Sequence, residues 1–481
     1  MLAVKGLSLL EVVEASGGSV VGTLPATTFF PRVELDPGKV TRGDLFVAVP
    51  GERIDGHEFT VVAALRGASA AVVSTKWAAQ VRELPLPLVV VEDEPVAALQ
   101  RIAAARREAL VATTVVGITG SVGKTSTKEA VASVAARRFR THRSQGNRNN
   151  ELGLPLSVLE ADTGVEVMVL EMAGGFAPGE IELLACIAKP HIAVVTNVHP
   201  VHLERMGSMV AIAETKAELM EALPSDGVAV LNGDDPHVSA MATRCAGRVL
   251  FYGLSDTNDV RAENVRSHGL DGVSFRALVA GETGDTRLPL VGGHAVELAL
   301  ASLSVGHVLG MSLEEMLPGL QNPDIQSRLR RVAGPRGSLL LDDTYNASPP
   351  SVLSALKLLE DSRARRRVAV LGDMLELGRL SEQAHNDVGR RAARAADVVI
   401  TYGELAALIA QAATRASAEA HRPVVVASFA TTQQADLVEF LRSELTHGDV
   451  ALVKGSRALR MEEVVQAIAS AQEDPLAPTR A

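Results

Sequence analysis

Between Gly117 and Lys128 the chain reads GITGSVGKTSTK, a run of residue types suited to holding a polyphosphate. Glycines at 120 and 123 let backbone N–H groups turn toward an anion, Lys124 can reach terminal phosphates, and the Thr125 hydroxyl can ligate magnesium. Ser121, Val122 and Ser126 complete the loop. The general spacing G-x-x-x-x-G-K-S/T asks for a glycine at 118, yet the chain has Ile118 there, with Gly117 one place early. Glu171 closes VEVMVLE, His202 sits in TNVHPVHLERMGS, and Lys216 lies in the helical VAIAETKAEL. A carboxylate and an imidazole at the mouth of a phosphate-binding sheet suit magnesium, directly or through water. Zinc is disfavoured, because no H-E-x-x-H spacing occurs. By residue type alone, Lys216 reads as a surface helix lysine.

These residues need strands and helices to hold them. TTVVGITG ahead of the loop is a β-branched run of strand type, and KTSTKEAVASVAARRF behind it is helical, with Val131, Val134 and Ala135 on one face. Strand, glycine turn and helix is the order a phosphate site requires. Residues 1–105 carry strand signals in GDLFVAVPG, AAVVS and PLVVVE, and a helical stretch around HEFTVVAALRGA. After an Ala/Arg-rich helix at 97–110, a block to 323 alternates strands (VEVMVLEM, HIAVVTNV, GVAVLNGD) with helices, predicting a parallel sheet covered on both faces. A third block, 324–481, repeats the theme with GSLLLDDT, RRVAVLGDM, ADVVIT, RPVVVAS and DVALVKGS. Pro323 marks a hinge, and the tail EDPLAPTRA is expected to fray. The expected architecture is α/β in three domains: a small N-terminal α/β domain, a central parallel-sheet phosphate-loop domain and a C-terminal Rossmann-like domain.

Composition narrows the function. A net charge of −10 and 3% aromatic residues argue against nucleic-acid binding, which needs a basic face and stacking surfaces. The basic run Arg363 to Arg367 reads as a solvated loop before a strand. Cys186 and Cys245 stand far apart, without a disulfide framework or metal-type spacing, as suits a reducing compartment. No signal-peptide layout opens the chain, and no apolar run reaches the ~20 residues of a membrane span, so a cytoplasmic protein is expected.

The motifs GITGSVGKTS, GNRNNELGLPLSVL, LEMAGG, TNVHPVHLERMGS, ETKAEL, LNGDDP, DDTYNASPPS, LGDMLELG and LVKGSR occur in an order that resembles the Mur ligases. DDTYNASP with GDMLELG is similar to the branch that joins D-alanyl-D-alanine to UDP-N-acetylmuramoyl-tripeptide. That family's loop has the lead-in G-x-T-G-x-x-G-K-T, which accounts for the early glycine. The resemblance implies a uridine-nucleotide site in the first domain, ATP and two magnesium ions as cofactors, a monomer, and a ligase that forms an amide through an acyl phosphate. It implies that Lys124 neutralises the β,γ-phosphates, that Thr125 and Glu171 hold one magnesium, and that His202 and a carbamylated Lys216 serve a second. Gly120, Ser121, Val122, Gly123, Lys124, Thr125 and Ser126, with Arg328, Asp343 and Asn346, would bind nucleotide. Asn149 and Asn150 would lie by the reacting carboxylate, and Lys454, Ser456 and Arg457 by the dipeptide.

The chain departs from that pattern twice. Ala295 and Leu298 stand where the family often has asparagines near adenine, and Asp36 to Lys39 reads DPGK in place of D-S-R. A related ligase with another amine or acceptor, of folylpolyglutamate type, and a phosphate-loop switch moving a partner both stay open at this stage.

Overall fold

A computed structural model describes residues 6–51, 54–81, 86–290, 294–322, 325 and 329–470. Pro323, Arg328 and the EDPLAPTRA tail therefore lie outside the described residues.

The strand Thr114–Thr119 shows why the middle of the chain folds as it does. Successive side chains on a strand point to opposite faces. Val115 faces a core shared with the helices Pro95–Ala109, Gly153–Leu159, Glu180–Ala188 and Met209–Glu221. Val116 and Ile118 face the other core, which holds Val131, Val134 and Ala135 of the helix Lys124–Ala135 and the helices His294–Val308 and Leu313–Leu320. A strand covered on both faces must be apolar throughout, as TVVGIT is. Its parallel neighbours are Val167–Glu171, followed by Thr141–Arg143, on one side, and Ile192–Val195, Val228–Asn232 and Arg248–Gly253 on the other. The order reverses beside Thr114–Thr119, leaving a crevice beyond Thr119 where ligands collect.

The central sheet is not wholly parallel, contrary to expectation. Val260–Ser267 joins in parallel, and Val273–Val279 and Glu282–Leu288 then add as antiparallel strands. These strands alternate buried and exposed residues, the pattern of a sheet with one wet face. The turn before Val273–Val279 places Leu270 in the apolar cluster of the third sheet with Leu339 and Leu359.

The first sheet orders Ser19–Val21, Leu88–Val91, Ala70–Ser74, Leu45–Val47 and Val33–Glu34, with only the first pair antiparallel. Ala98, Leu99 and Ile102 of the bridging helix Pro95–Ala109 belong to one cluster with Val72 of this sheet and Met168 of the next. DPGK forms a capped surface turn: Asp36 accepts Gly38 N–H at 2.9 Å and pairs with Lys39 at 3.2 Å.

The third sheet runs Arg330–Ala333, Leu339–Asp342, Asp449–Lys454, Arg366–Gly372, Val398–Tyr402 and Val425–Phe429, parallel except for the first strand. The basic run is only partly the solvated loop expected. Arg366 opens a strand and pairs with Asp449 at 2.7 Å, and Arg367 donates to Leu359 O and Ser362 O. Paired guanidinium groups can line a half-buried strand end where unpaired ones could not.

Candidate active site

The carboxyl ends of the second and third sheets face each other across a cleft of about 390 Å³. On the central side, Gly120 has φ +143°, and a Cβ there would lie 2.0 Å from Thr196 Oγ1, so glycine is required. Gly123 has φ +85° and opens directly into the helix Lys124–Ala135. Ile118 is fully buried in the strand, while a Cβ at Gly117 would meet Met172 at 3.0 Å. The early glycine thus serves packing, and the loop proper spans Gly120 to Thr125.

Two residues that the sequence reading quoted without singling out hold this loop. Asn197 accepts Val122 N–H at 2.8 Å and donates to Val122 O at 3.0 Å, and Thr196 donates to the same carbonyl at 2.8 Å. Both follow the neighbouring strand Ile192–Val195, and that adjacency was the available signal. Lys124 Nζ donates to Gly120 O at 2.7 Å and Ser121 O at 3.2 Å. Ser121, Val122, Gly123, Lys124 and Ser126 line the cleft; Thr125 is the second residue of the helix.

Glu171, at the end of its strand, is buried. Its Oε1 accepts from Asn149 at 2.8 Å, and its Oε2 has no hydrogen-bond partner among the described residues. An orphaned buried carboxylate oxygen wants a donor or a cation. No group of three or more His, Cys, Asp or Glu that could hold a metal occurs among the described residues. A single free carboxylate oxygen at the cleft suits magnesium, which keeps waters and takes substrate phosphates as its other ligands. Behind Glu171, the fully buried Lys128 donates to Ser144 O at 2.6 Å, and Ser144 Oγ accepts Glu171 N–H at 3.2 Å.

Lys216 is not the surface lysine that its residue type suggested. It is 2% exposed, and burial, reinforced by the charge of Lys124, lowers its pKa to about 7. Much of it is therefore a neutral amine near neutral pH. His202 lines the cleft in a left-handed conformation, φ +56°, and its Nδ1 meets Glu376 of the third sheet.

Across the cleft, Lys454 donates to Asp343 Oδ2 at 2.7 Å and to Asn346 O at 2.8 Å, and all three residues line the cavity. Ala295 and Leu298 line the cleft as well, together with Leu290 and Leu329 and with His294 and Glu297 of the same helix as Ala295. Asn149 also lines the cleft, but three of the expected substrate residues do not. Asn150 is exposed and caps the Gly153 N–H at 2.9 Å. Ser456 accepts Leu375 N–H at 2.9 Å, and Arg457 lies over the Tyr345 ring at 5.7 Å and pairs with Glu462.

Known proteins resemble the chain over most of its length. Residues 118–306 match the Mur ligase middle domain, and residues 327–457 match the Mur ligase, glutamate ligase domain. A Bacillus subtilis protein named UDP-N-acetylmuramoyl-tripeptide--D-alanyl-D-alanine ligase is 35% identical, over 95% of this chain and 97% of its own. The chain belongs to the Mur ligase family. A MurF crystal structure from Acinetobacter baumannii superposes with a TM-score of 0.84 at 28% identity, covering 96% of this chain and 98% of that one. A Thermotoga maritima MurF ligase in complex with ADP superposes at 0.76 with 31% identity, covering 91% of this chain and 96% of that one. No helix among the described residues is long and apolar enough to cross a membrane.

Proposed function

We propose that this Mur ligase joins D-alanyl-D-alanine to UDP-N-acetylmuramoyl-tripeptide at the expense of ATP, as a monomer in the cytoplasm. Supporting this reading most directly is one cleft bounded by the phosphate loop on one side and the Asp343–Lys454 pair on the other, in a chain alike over nearly its whole length to ligases of that name. Residues 1–105 would hold the uridine nucleotide, 106–323 the ATP, and 324–481 would close over both.

The chemistry follows from charge. The tripeptide carboxylate attacks the γ-phosphate of ATP, giving an acyl phosphate and ADP, and the dipeptide amine then attacks that carbonyl and expels phosphate. Both reactants of the first step are anions, so positive charge must stand between them. Gly120 to Ser126 supply N–H and hydroxyl donors, and Lys124 turns from its loop carbonyls to the β,γ-phosphates. Thr125 and the orphan oxygen of Glu171 would hold one magnesium, and His202 and Lys216 a second. Bound magnesium supplies charge that offsets repulsion between the carboxylate and the γ-phosphate. For Lys216 to serve, its neutral Nζ adds to carbon dioxide, forming an N–C bond and releasing a proton. The resulting carbamate is an anionic oxygen ligand where an ammonium would be repelled. Asn149 orients Glu171 beside the reacting carboxylate. Asp343 and Asn346, with Lys454, close on the nucleotide and dipeptide, and closure keeps water from the acyl phosphate.

Phosphate release tests the assignment. It should require ATP, the UDP-linked tripeptide and D-alanyl-D-alanine together. Release indifferent to the dipeptide would reject it.

A further inference from the structure

Glu376 occupies a place that the reaction as described does not use. It lies in the loop after the strand Arg366–Gly372, in a left-handed conformation with φ +64°. Its Oε2 meets His202 Nδ1, its Oε1 pairs with Arg205 Nη2 at 3.3 Å, and its carbonyl accepts Glu204 N–H at 3.2 Å. Three contacts from one residue of the third sheet thus converge on the 202–205 turn of the second. The loop is itself anchored, since Leu375 N–H donates to Ser456 Oγ at 2.9 Å.

A carboxylate can only accept, so the imidazole proton facing Glu376 belongs on Nδ1. In the neutral ring the lone pair is then on Nε2. His202 and Glu376, on either side of one hydrogen bond, are both non-glycine residues held at positive φ, a local strain that persists only where the surroundings over-determine it. Because Glu376 follows a strand of the third sheet and His202 follows one of the second, the bond requires the two sheets to be docked.

We propose that Glu376 is the positioning residue of His202: docking of the third sheet delivers its carboxylate, which fixes the Nδ1–H tautomer and turns Nε2 to the cleft. The idea rests on His202 serving the ligase site as given above. It couples closure to competence, because an undocked sheet leaves the ring free to rotate and change tautomer. Arg205 holds the second carboxylate oxygen, so Oε2 stays aimed at the ring.

The ring nitrogens of His202 report the tautomer without turnover. In nitrogen-labelled wild-type protein at a fixed pH above the imidazole range, correlation spectra should show Nδ1 protonated and Nε2 bare, the signal assigned by its loss in His202→Asn. Glu376→Ala should mix the two tautomers and lower kcat about 10–100-fold, while KM for ATP stays within about threefold. Glu376→Gln keeps an acceptor oxygen, and should restore the single tautomer and most of kcat. A single unchanged tautomer in folded Glu376→Ala, or a kcat within about twofold of wild type, would overturn the proposal. If instead the wild type shows the tautomer but no ligation, the ligase reading fails while this contact stands.

Discussion

Lys454 Nζ lies 2.7 Å from Asp343 Oδ2, with the lysine 2% and the carboxylate 14% exposed, on the cleft wall opposite the phosphate loop. Removing one member of such a pair strands the other in a poorly hydrated place. Lys454→Met should therefore lower kcat/KM by about a hundredfold, roughly 2.7 kcal/mol. In a double-mutant cycle with Asp343→Asn, the coupling should fall between about 0.5 and 3 kcal/mol. Strict additivity would show that the two side chains act separately.

Lys124→Ala should reduce turnover by at least about a hundredfold, since it removes the cation that the phosphate loop presents to the cleft. Activity within about threefold of wild type would mean that the loop does not bind the reacting nucleotide.

Lys216→Ala should be nearly inactive and partly rescued by short carboxylates that stand in for the carbamate oxygens. Full activity without rescue would sink the carbamate assignment. The uncarbamylated lysine also leaves a mark on stability. With its folded pKa lowered to about 7, the unfolded chain binds more protons between that pH and lysine's ordinary range. Stability should therefore rise with pH across that window in carbon-dioxide-free buffer, and Lys216→Met should flatten the slope. Urea titrations at several pH values measure it.

Ala295 and Leu298 line the cleft with Leu290 and Leu329, and their side chains can offer a base bound there only apolar contact. An apolar wall rejects a near-isostere weakly. GTP should then support turnover within about tenfold of ATP in kcat/KM, a gap of roughly 1.4 kcal/mol. A preference for ATP above about a thousandfold would assign base reading to other groups lining the cleft, such as His294 or Glu297.

What could be read from the sequence was local. Strand, glycine turn and helix at 114–135 are consecutive, and the buried face Val131, Val134 and Ala135 follows from helical spacing. Burial of Lys216 was hidden, because the buried face of a helix reading VAIAETKAELM depends on what packs against it. Thr196 and Asn197 gained their role from a neighbouring strand, and Glu376 from another sheet. Asn150 looked equivalent to Asn149, yet the turn sends one amide to Glu171 and the other to a helix start. The antiparallel wing at 260–288 was overlooked because its charged, alternating strands lack the apolar runs that mark the parallel ones.

The central claim is that the tripeptide carboxylate itself attacks the γ-phosphate. Labelling that carboxylate with heavy oxygen and analysing the phosphate released during ligation tests this bond by bond. Transfer of one labelled oxygen into each phosphate is the predicted result. Phosphate free of label, with the amide formed, would contradict the acyl-phosphate route.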